Sequence, residues 1–254
     1  MSHGTVLVTG VGRTRGLGAG IALRLAGRGW DLALGYLPEY DDRVGLEHGP
    51  DDPHDIAERC RAAGAAVQLL PGDLAHPDVP ERLVTAANAR RDLTALVLSH
   101  AESVDSSLLD TSLQSWDRHY AVNARASWLL IKAFAEQLPA QVREARAGRV
   151  VALTSDHTAH NLPYGSSKGA LDRIVVAAAV ELAGRGISAN AINPGPIDTG
   201  WMDERLRTSL AQRTPAGRLG TATDTADLVA FLISPDGGWV TGQVIRSDGG
   251  FSAQ

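Results

Sequence analysis

The chain has 254 residues, 44% of them hydrophobic and 21% charged, with a formal net charge of −5 at pH 7. That balance fits a globular protein with a sizeable core and lacks the basic stripe that nucleic-acid binding calls for. The lone cysteine, Cys60, excludes an internal disulfide and supplies no metal-ligating cluster.

Thr5–Thr9 is a short β-branched run, followed by Gly10, Gly12, Gly16, Gly18 and Gly20 and then by Ile21, Ala22, Leu25 and Ala26 at helical spacing. Strand, glycine-rich turn and helix is the context in which backbone approaches a pyrophosphate and a helix N-terminus faces it. Because the strand begins at Thr5, no room is left for a signal peptide, and a cytoplasmic protein is expected. Asp31–Tyr36 reads as a second strand. Where dinucleotide folds often place Asp or Glu for the ribose diol, this chain has Tyr36, while Arg13 and Arg15 stand in the glycine turn. Two guanidiniums there could bind a 2′-phosphate, which favours NADP(H) and leaves NAD(H) open. Opposing that field, the run from Glu39 to Asp55 carries seven carboxylates against Arg43 alone and reads as a solvated loop.

Ile56–Ala63 follows as a short helix, then a strand over Val67–Leu70 ending at Gly72-Asp73-Leu74, a helix over Pro77–Arg90 and an apolar strand over Leu93–Ser99. Continuous apolar strands alternating with helices predict a parallel sheet covered on both faces, with ligands beyond the strand C-termini. Asp73 and Ser99-His100-Ala101-Glu102 would lie there, His100 either touching cofactor or solvated. Trp116–Leu138 is a long helical pattern whose interior Asn123 has either a side-chain task or tolerated polarity. Arg149–Thr154 gives a fifth strand ending in Ser155, and His157 and His160 in the next loop have no third partner spaced for a metal.

A helix over Tyr164–Gly184 carries a second motif. Lys132 and Lys168 are the only lysines among 24 basic residues, and Lys168 falls four residues after Tyr164, one of four tyrosines. On a helix that spacing shares one face. A nearby ammonium favours the phenolate and lowers a phenol's ordinary pKa of about 10, although the pair alone also fits a surface Tyr and Lys. The apolar run Ile174–Leu182 is too short to span a membrane and contains Glu181. Ile187–Ile192 is a sixth strand, leading into Asn193-Pro194-Gly195-Pro196-Ile197-Asp198-Thr199, a stiff turn at the same sheet edge. Trp201–Arg213 and Thr225–Ile233 look helical, and Gln243–Arg246 is a last strand before Asp248-Gly249-Gly250. No repeat or linker divides this course, so one domain over residues 1–254 is expected.

Thr9-Gly10 with Gly16-Leu17-Gly18, Asn123, Ser155, Tyr164-xxx-Lys168 and Asn193-Pro194-Gly195 together resemble, in order and spacing, the short-chain dehydrogenase/reductase family over essentially the whole chain. The resemblance implies a single α/β Rossmann-type domain, a doubly wound parallel sheet of about seven strands, and hydride transfer to or from nicotinamide. It is closest to the 3-ketoacyl thioester reductase branch, whose substrate is carried on acyl carrier protein or coenzyme A. Cyclic polyketide, sugar and steroid alcohols are alternatives, as is a cofactor-binding sensor without turnover. By resemblance, Tyr164 is the general acid, Lys168 lowers its pKa and holds the ribose, Ser155 binds the substrate oxygen, and Asn123 holds a water that connects Lys168 to solvent. Gly10, Arg13, Arg15, Gly16, Leu17 and Gly18 would contact phosphates, and Asp73 and Leu74 the adenine. Ser99, Ala101, Pro194 and Gly195 would line the cofactor's path, with Ile197 and Thr199 at the nicotinamide end. No metal is implied. The segment from about 200 to 215 would cover the substrate, Arg125 and Arg173 could meet an acidic carrier protein, and the two long helices would pair in a homodimer or homotetramer with Trp128 and Val176 outward.

Three departures from the family pattern stand out. Five residues separate Gly10 from Gly16 where three are usual, Ser99-His100-Ala101-Glu102 replaces Asn-Asn-Ala-Gly, and Ser155 precedes Tyr164 by nine residues instead of thirteen.

Overall fold

The computed structural model describes residues 4–253. Strands and helices alternate from the first element: β1 (Thr5–Thr9), α1 (Leu17–Ala26), β2 (Asp31–Tyr36), α2 (Pro38–Val44), α3 (Asp52–Ala62), β3 (Val67–Pro71), α4 (Val79–Asn88) and β4 (Leu93–Leu98). The second half continues with α5 (Leu113–His119), a π-helical segment (Tyr120–Arg125), α6 (Ala126–Gln137), α7 (Ala140–Glu144), β5 (Gly148–Leu153), α8 (Leu162–Glu181), β6 (Ile187–Asn193), α9 (Glu204–Arg213), α10 (Ala222–Ile233) and β7 (Val244–Arg246). The described strands form one seven-stranded sheet in the order β3-β2-β1-β4-β5-β6-β7, parallel at every pairing. The chain winds outward from β1 to β3 and then returns to β4 on the other side of β1. That reversal opens a crevice at the strand C-termini, the place where such sheets bind ligands.

The central strands have no exposed face: β1, β4, β5 and β6 are buried at every residue. Alternation still operates inside these apolar runs, because successive side chains point to opposite faces. Leu7, Leu96 and Leu98 join Leu130 and Phe134 of α6 and Leu171 of α8 on one face. Val6, Val8 and Val97 join Ile21 and Leu25 of α1, Ile56 of α3 and Val229 of α10 on the other. Each fully buried leucine or phenylalanine contributes about 1.5–3 kcal/mol over exposure.

The expected solvated loop between Glu39 and Asp55 is in fact largely ordered into α2 and the first turn of α3. The seven carboxylates do not all face water. Asp41 and Asp52 are buried because the glycine turn compensates them: Arg13 Nε lies 2.9 Å from Asp41, and the Thr14 N–H and hydroxyl donate to Asp52 at 3.0 and 3.3 Å. The long helix expected from Trp116 begins earlier, at Leu113, where the Ser112 hydroxyl accepts the Ser115 N–H, and it widens into the π-helical turn in its middle. The helix expected from Trp201 starts at Glu204 under an Asp203 cap, and the Thr225 helix starts at Ala222 with a Thr221/Asp224 capping box.

Candidate active site

Gly10 follows β1 with φ +77°, and a Cβ there would stand 2.7 Å from the backbone of Ser99 and His100 just beyond β4. A Cβ on Gly18 would fall 2.3 Å from the Gly10 carbonyl oxygen. Only glycine lets strand, turn and helix close this tightly. Gly16 is the N-cap of α1 in extended conformation and offers no side-chain cap. The first-turn N–H groups, those of Leu17 and Gly18 among them, are left for an anion. The Ser99 hydroxyl beside this cradle is buried and has no hydrogen-bond partner among the described residues. A dinucleotide's pyrophosphate fits that arrangement.

The two arginines of the turn divide in role. Arg13 is buried, its Nε on Asp41 and its Nη1 donating to the Thr199 carbonyl at 3.0 Å. It ties the glycine turn to α2 and to the segment after β6, so its guanidinium is not free for the 2′-phosphate expected of it. Arg15 is exposed, its nearest anion Asp198 at 3.8 Å. Asp198 also holds Arg207 of α9 at 2.9 Å. Gly195 has φ +65° and would place a Cβ 2.4 Å from that of Asp248, which holds the turn after β6 against the C-terminal loop. Pro194 is half-buried, and Ile197 and Thr199 are buried beside it.

Ala101 is half-buried at the end of β4. His100 is buried, and its ring is engaged within the protein and not in the crevice. Its Nδ1 is 2.7 Å from the Thr9 hydroxyl and its Nε2 is 3.1 Å from the Val122 carbonyl, which links β1, β4 and the π-helical turn. Burial, with Lys168 adding to it, pulls its pKa down to about 3, so the ring is a neutral core group. Leu74 is buried. Burial pushes the Asp73 carboxyl up, but the Ala75 N–H and Arg118 outweigh it and hold it below its usual value.

Pro163 in the first turn of α8 starts the helix at Leu162, two residues before Tyr164. Tyr164 and Lys168 share the face turned to the end of β5. The Lys168 ammonium donates to the Leu153 carbonyl at 2.8 Å and sits 5.7 Å from the Tyr164 ring centre. Ser155, two residues past the end of β5, lies beside the phenol, where it favours the phenolate, and accepts the His157 N–H at 3.2 Å. The nine-residue spacing therefore leaves Ser155 at the hydroxyl of Tyr164. Asn123 is fully buried on the π-helical turn, a feature that concentrates at functional sites. Its Oδ1 accepts the Glu102 N–H at 2.7 Å, and its Nδ2 donates to the Glu102 carbonyl and to Ser167 Oγ, both at 2.9 Å. Both amide protons are thus engaged within the protein.

One expectation fails here. Burial raises the Tyr164 pKa above that of a free phenol, and only the Ser155 hydroxyl works against it. The reason lies in Lys168, whose ammonium is directed at the Leu153 carbonyl and is itself brought down to about 8 by burial, with Asp172 opposing.

Reasoning from sequence missed Asp172, one turn beyond Lys168 and legible from that spacing. It also missed the pairing of Arg43 and Arg118 with Glu102, which no local pattern announces. Among the described residues no group of His, Cys, Asp or Glu could hold a metal, and no helix is long and apolar enough to cross a membrane.

Residues 10–252 match the family model described as enoyl-(acyl carrier protein) reductase. An uncharacterized oxidoreductase of Bacillus subtilis, YjdA, is 31% identical, the alignment covering 99% of each chain. The 3-oxoacyl-[acyl-carrier-protein] reductase FabG of Aggregatibacter actinomycetemcomitans is 29% identical over 97% of this chain and 98% of its own. Among solved structures, the angucycline C-6 ketoreductase LanV with bound NADP superposes with a TM-score of 0.86 at 27% identity, covering 100% of this chain and 97% of its own. With the sheet order, the glycine cradle and the Ser155–Tyr164–Lys168 cluster in place, the chain belongs to the short-chain dehydrogenase/reductase family and is an NAD(P)-dependent oxidoreductase.

Proposed function

We propose that the protein reduces a ketone to a secondary alcohol with NADP(H), and that its substrate is a 3-oxoacyl thioester. The observation that carries the reading is the half-buried Tyr164 at the start of α8, with Ser155 beside its phenol and the Lys168 ammonium 5.7 Å from its ring. A bound nicotinamide supplies the hydride in this direction and accepts it in reverse. Tyr164 holds its proton firmly at neutral pH because its pKa is raised, and donates it from Oη to the carbonyl oxygen. Ser155 orients that oxygen. Lys168 would hold the ribose, while Asn123 fixes Ser167 at the turn between Tyr164 and Lys168. A positioned general acid contributes about 10²–10⁴-fold, and donors aimed at the developing alkoxide add to it.

Gly10, Gly16, Leu17, Gly18 and Arg15 would hold the pyrophosphate, Asp73, Leu74, Ser99 and Ala101 the adenosine half, and Pro194, Gly195, Ile197 and Thr199 the nicotinamide half. Arg13 would serve by fixing this frame. Residues 200–215 would cover the substrate. Arg125 and Arg173 are exposed where an acidic acyl carrier protein could meet them. Trp128 and Val180, 49% and 74% exposed on α6 and α8, favour pairing of those helices in a homodimer or homotetramer. Val176, expected outward, is half-buried, one turn before Val180.

A second reading, a polycyclic ketone, rests on the openness of the cleft. Residues 156–160 beside Tyr164 are all exposed, and α9 buries none of its side chains. That leaves room for a broad, flat substrate. The retained cluster speaks against a silent sensor. Oxidation of NADPH by the purified protein against 3-oxoacyl thioesters and polycyclic ketones, with Tyr164→Phe as the blank, decides among these. Thioester turnover above the blank supports the first reading, turnover of polycyclic ketones alone the second, and none in either set overturns both.

A further inference from the structure

Beyond the ends of β2, β3 and β4 lies a cavity of about 850 Å³ whose wall includes Leu37, Arg43, Asp73, Glu102 and Arg118. In a doubly wound sheet the end of the second strand faces the adenosine ribose, where the cofactor's 2′ position is read. Two cations stand in this wall, and both are already engaged. Arg43 Nη1 and Nη2 donate to the two oxygens of Glu102 at 2.7 and 2.6 Å, a fork-to-fork pair. Arg118 donates from Nε to Glu102 at 3.1 Å and from Nη1 and Nη2 to Asp73 at 3.2 Å. The chain Arg43–Glu102–Arg118–Asp73 balances two positive charges against two negative ones.

The members differ in freedom. The Glu102 side chain is 2% exposed, and its backbone N–H and carbonyl are both held by Asn123. Arg118 has every guanidinium nitrogen engaged and is 28% exposed. Arg43 is 40% exposed, has Glu102 as its only carboxylate partner among the described residues, and lies over the Tyr40 ring on the short helix that follows β2. Arg43 can therefore turn toward an incoming anion, whereas Arg118 and Glu102 cannot move without breaking several bonds each. Arg13, another guanidinium near this strand end, is locked between Asp41 and Thr199.

Building on the reading of the chain as a dinucleotide-dependent reductase, we infer that Arg43 is the residue that recognises the 2′-phosphate of NADP(H), and that Glu102 is its built-in competitor. A 2′-phosphate takes Arg43 only by drawing it from Glu102, whose carboxylate stays behind with Arg118 as its remaining partner. A 2′-hydroxyl makes no such demand. Glu102 therefore sets how strongly the site prefers NADPH over NADH. Its position places a carboxylate in the wall of the pocket.

Titrating the purified protein with NADPH and with NADH, followed by the fluorescence of the bound dihydronicotinamide, tests this without turnover. Arg43→Gln should weaken NADPH by about tenfold or more, the loss of charge-assisted bonds to phosphate, and leave NADH within about twofold. Glu102→Gln, which keeps the backbone clamp and the side-chain volume, should shift the NADPH-to-NADH affinity ratio the other way by about threefold or more. An unchanged ratio in Arg43→Gln, or equal weakening of both dinucleotides in Glu102→Gln, overturns the inference. A wild-type protein that binds neither dinucleotide overturns the functional reading and this inference together, whereas carbonyl reduction with an unchanged Arg43→Gln ratio overturns the inference alone.

Discussion

Asn123 holds both backbone polar groups of Glu102, accepting its N–H at 2.7 Å and donating to its carbonyl at 2.9 Å. One buried amide thereby pins the end of β4 to the π-helical turn, and through Ser167 to the helix of Tyr164 and Lys168. Asn123→Ala leaves these groups buried without partners, at about 1–3 kcal/mol each. The expected result is a markedly lower midpoint in denaturant melts and weaker cofactor binding. A midpoint like that of the wild type would show that the clamp carries no stability.

His100 makes the protein sensitive to acid. Its folded pKa is about 3 against an ordinary 6.5, because burial disfavours the charged ring. Between those values the unfolded chain binds the extra proton, so stability rises with pH. The contribution of the neutral ring is complete above about pH 6.5 and is lost as pH falls toward 3. His100→Asn, though less stable at neutral pH, should show a flatter decline of stability on the acid side. A slope equal to that of the wild type would assign acid unfolding to other groups.

Lys168 titrates near 8, so its ammonium is lost from the cofactor-free protein as pH rises through that value. Affinity for NADPH should therefore fall on the basic side with a limb near pH 8. Asp172, one turn along α8, opposes the effect of burial. Asp172→Asn removes that charge and should move the limb to lower pH. A limb that stays in place would remove Asp172 from the account.

The sheet was legible from the sequence because its strands are continuous apolar runs, and the glycine cradle because close approach leaves no residue but glycine at positions 10 and 18. Tyr164 and Lys168 were legible because a helix converts a spacing of four into a shared face. The pKa of Tyr164 was not, since it depends on how deeply the phenol is buried and on which carbonyl the ammonium finds. Arg43 and Glu102 are 59 residues apart, and their pairing follows only from the order in which β2 and β4 flank β1. Arg13 shows the same limit. Its place in the glycine turn was visible, but the buried Asp41 that engages it reads from sequence as one more solvated acid.

The glycines of the site and of its helix should respond oppositely to alanine. Gly18→Ala forces a Cβ to 2.3 Å from the Gly10 carbonyl and should destabilise the fold by about 1–3 kcal/mol while impairing dinucleotide binding. Gly169, inside α8 next to Lys168, has nothing within 4 Å of an added Cβ. Gly169→Ala should stabilise by about 0.5–1 kcal/mol. Thermal melts of the two variants check both signs, and a stabilised Gly18→Ala would contradict the packing described.

Arg207 of α9 and Arg15 of the glycine turn share Asp198, at 2.9 and 3.8 Å. Arg207→Ala should loosen α9, the segment proposed to cover the substrate, and raise the KM for the carbonyl substrate several-fold, with little change in NADPH affinity. Equal weakening of both ligands would mean that α9 supports the cofactor site instead.

The proton donor is the centre of the account, and one comparison tests it most directly: carbonyl-dependent NADPH oxidation by wild type and Tyr164→Phe, with NADPH affinity measured on both. Turnover should fall by about 10²–10⁴-fold while the dinucleotide binds as before. Turnover within a few-fold of wild type in Tyr164→Phe, on a substrate that the wild type reduces, would contradict the assignment of Tyr164 as the acid.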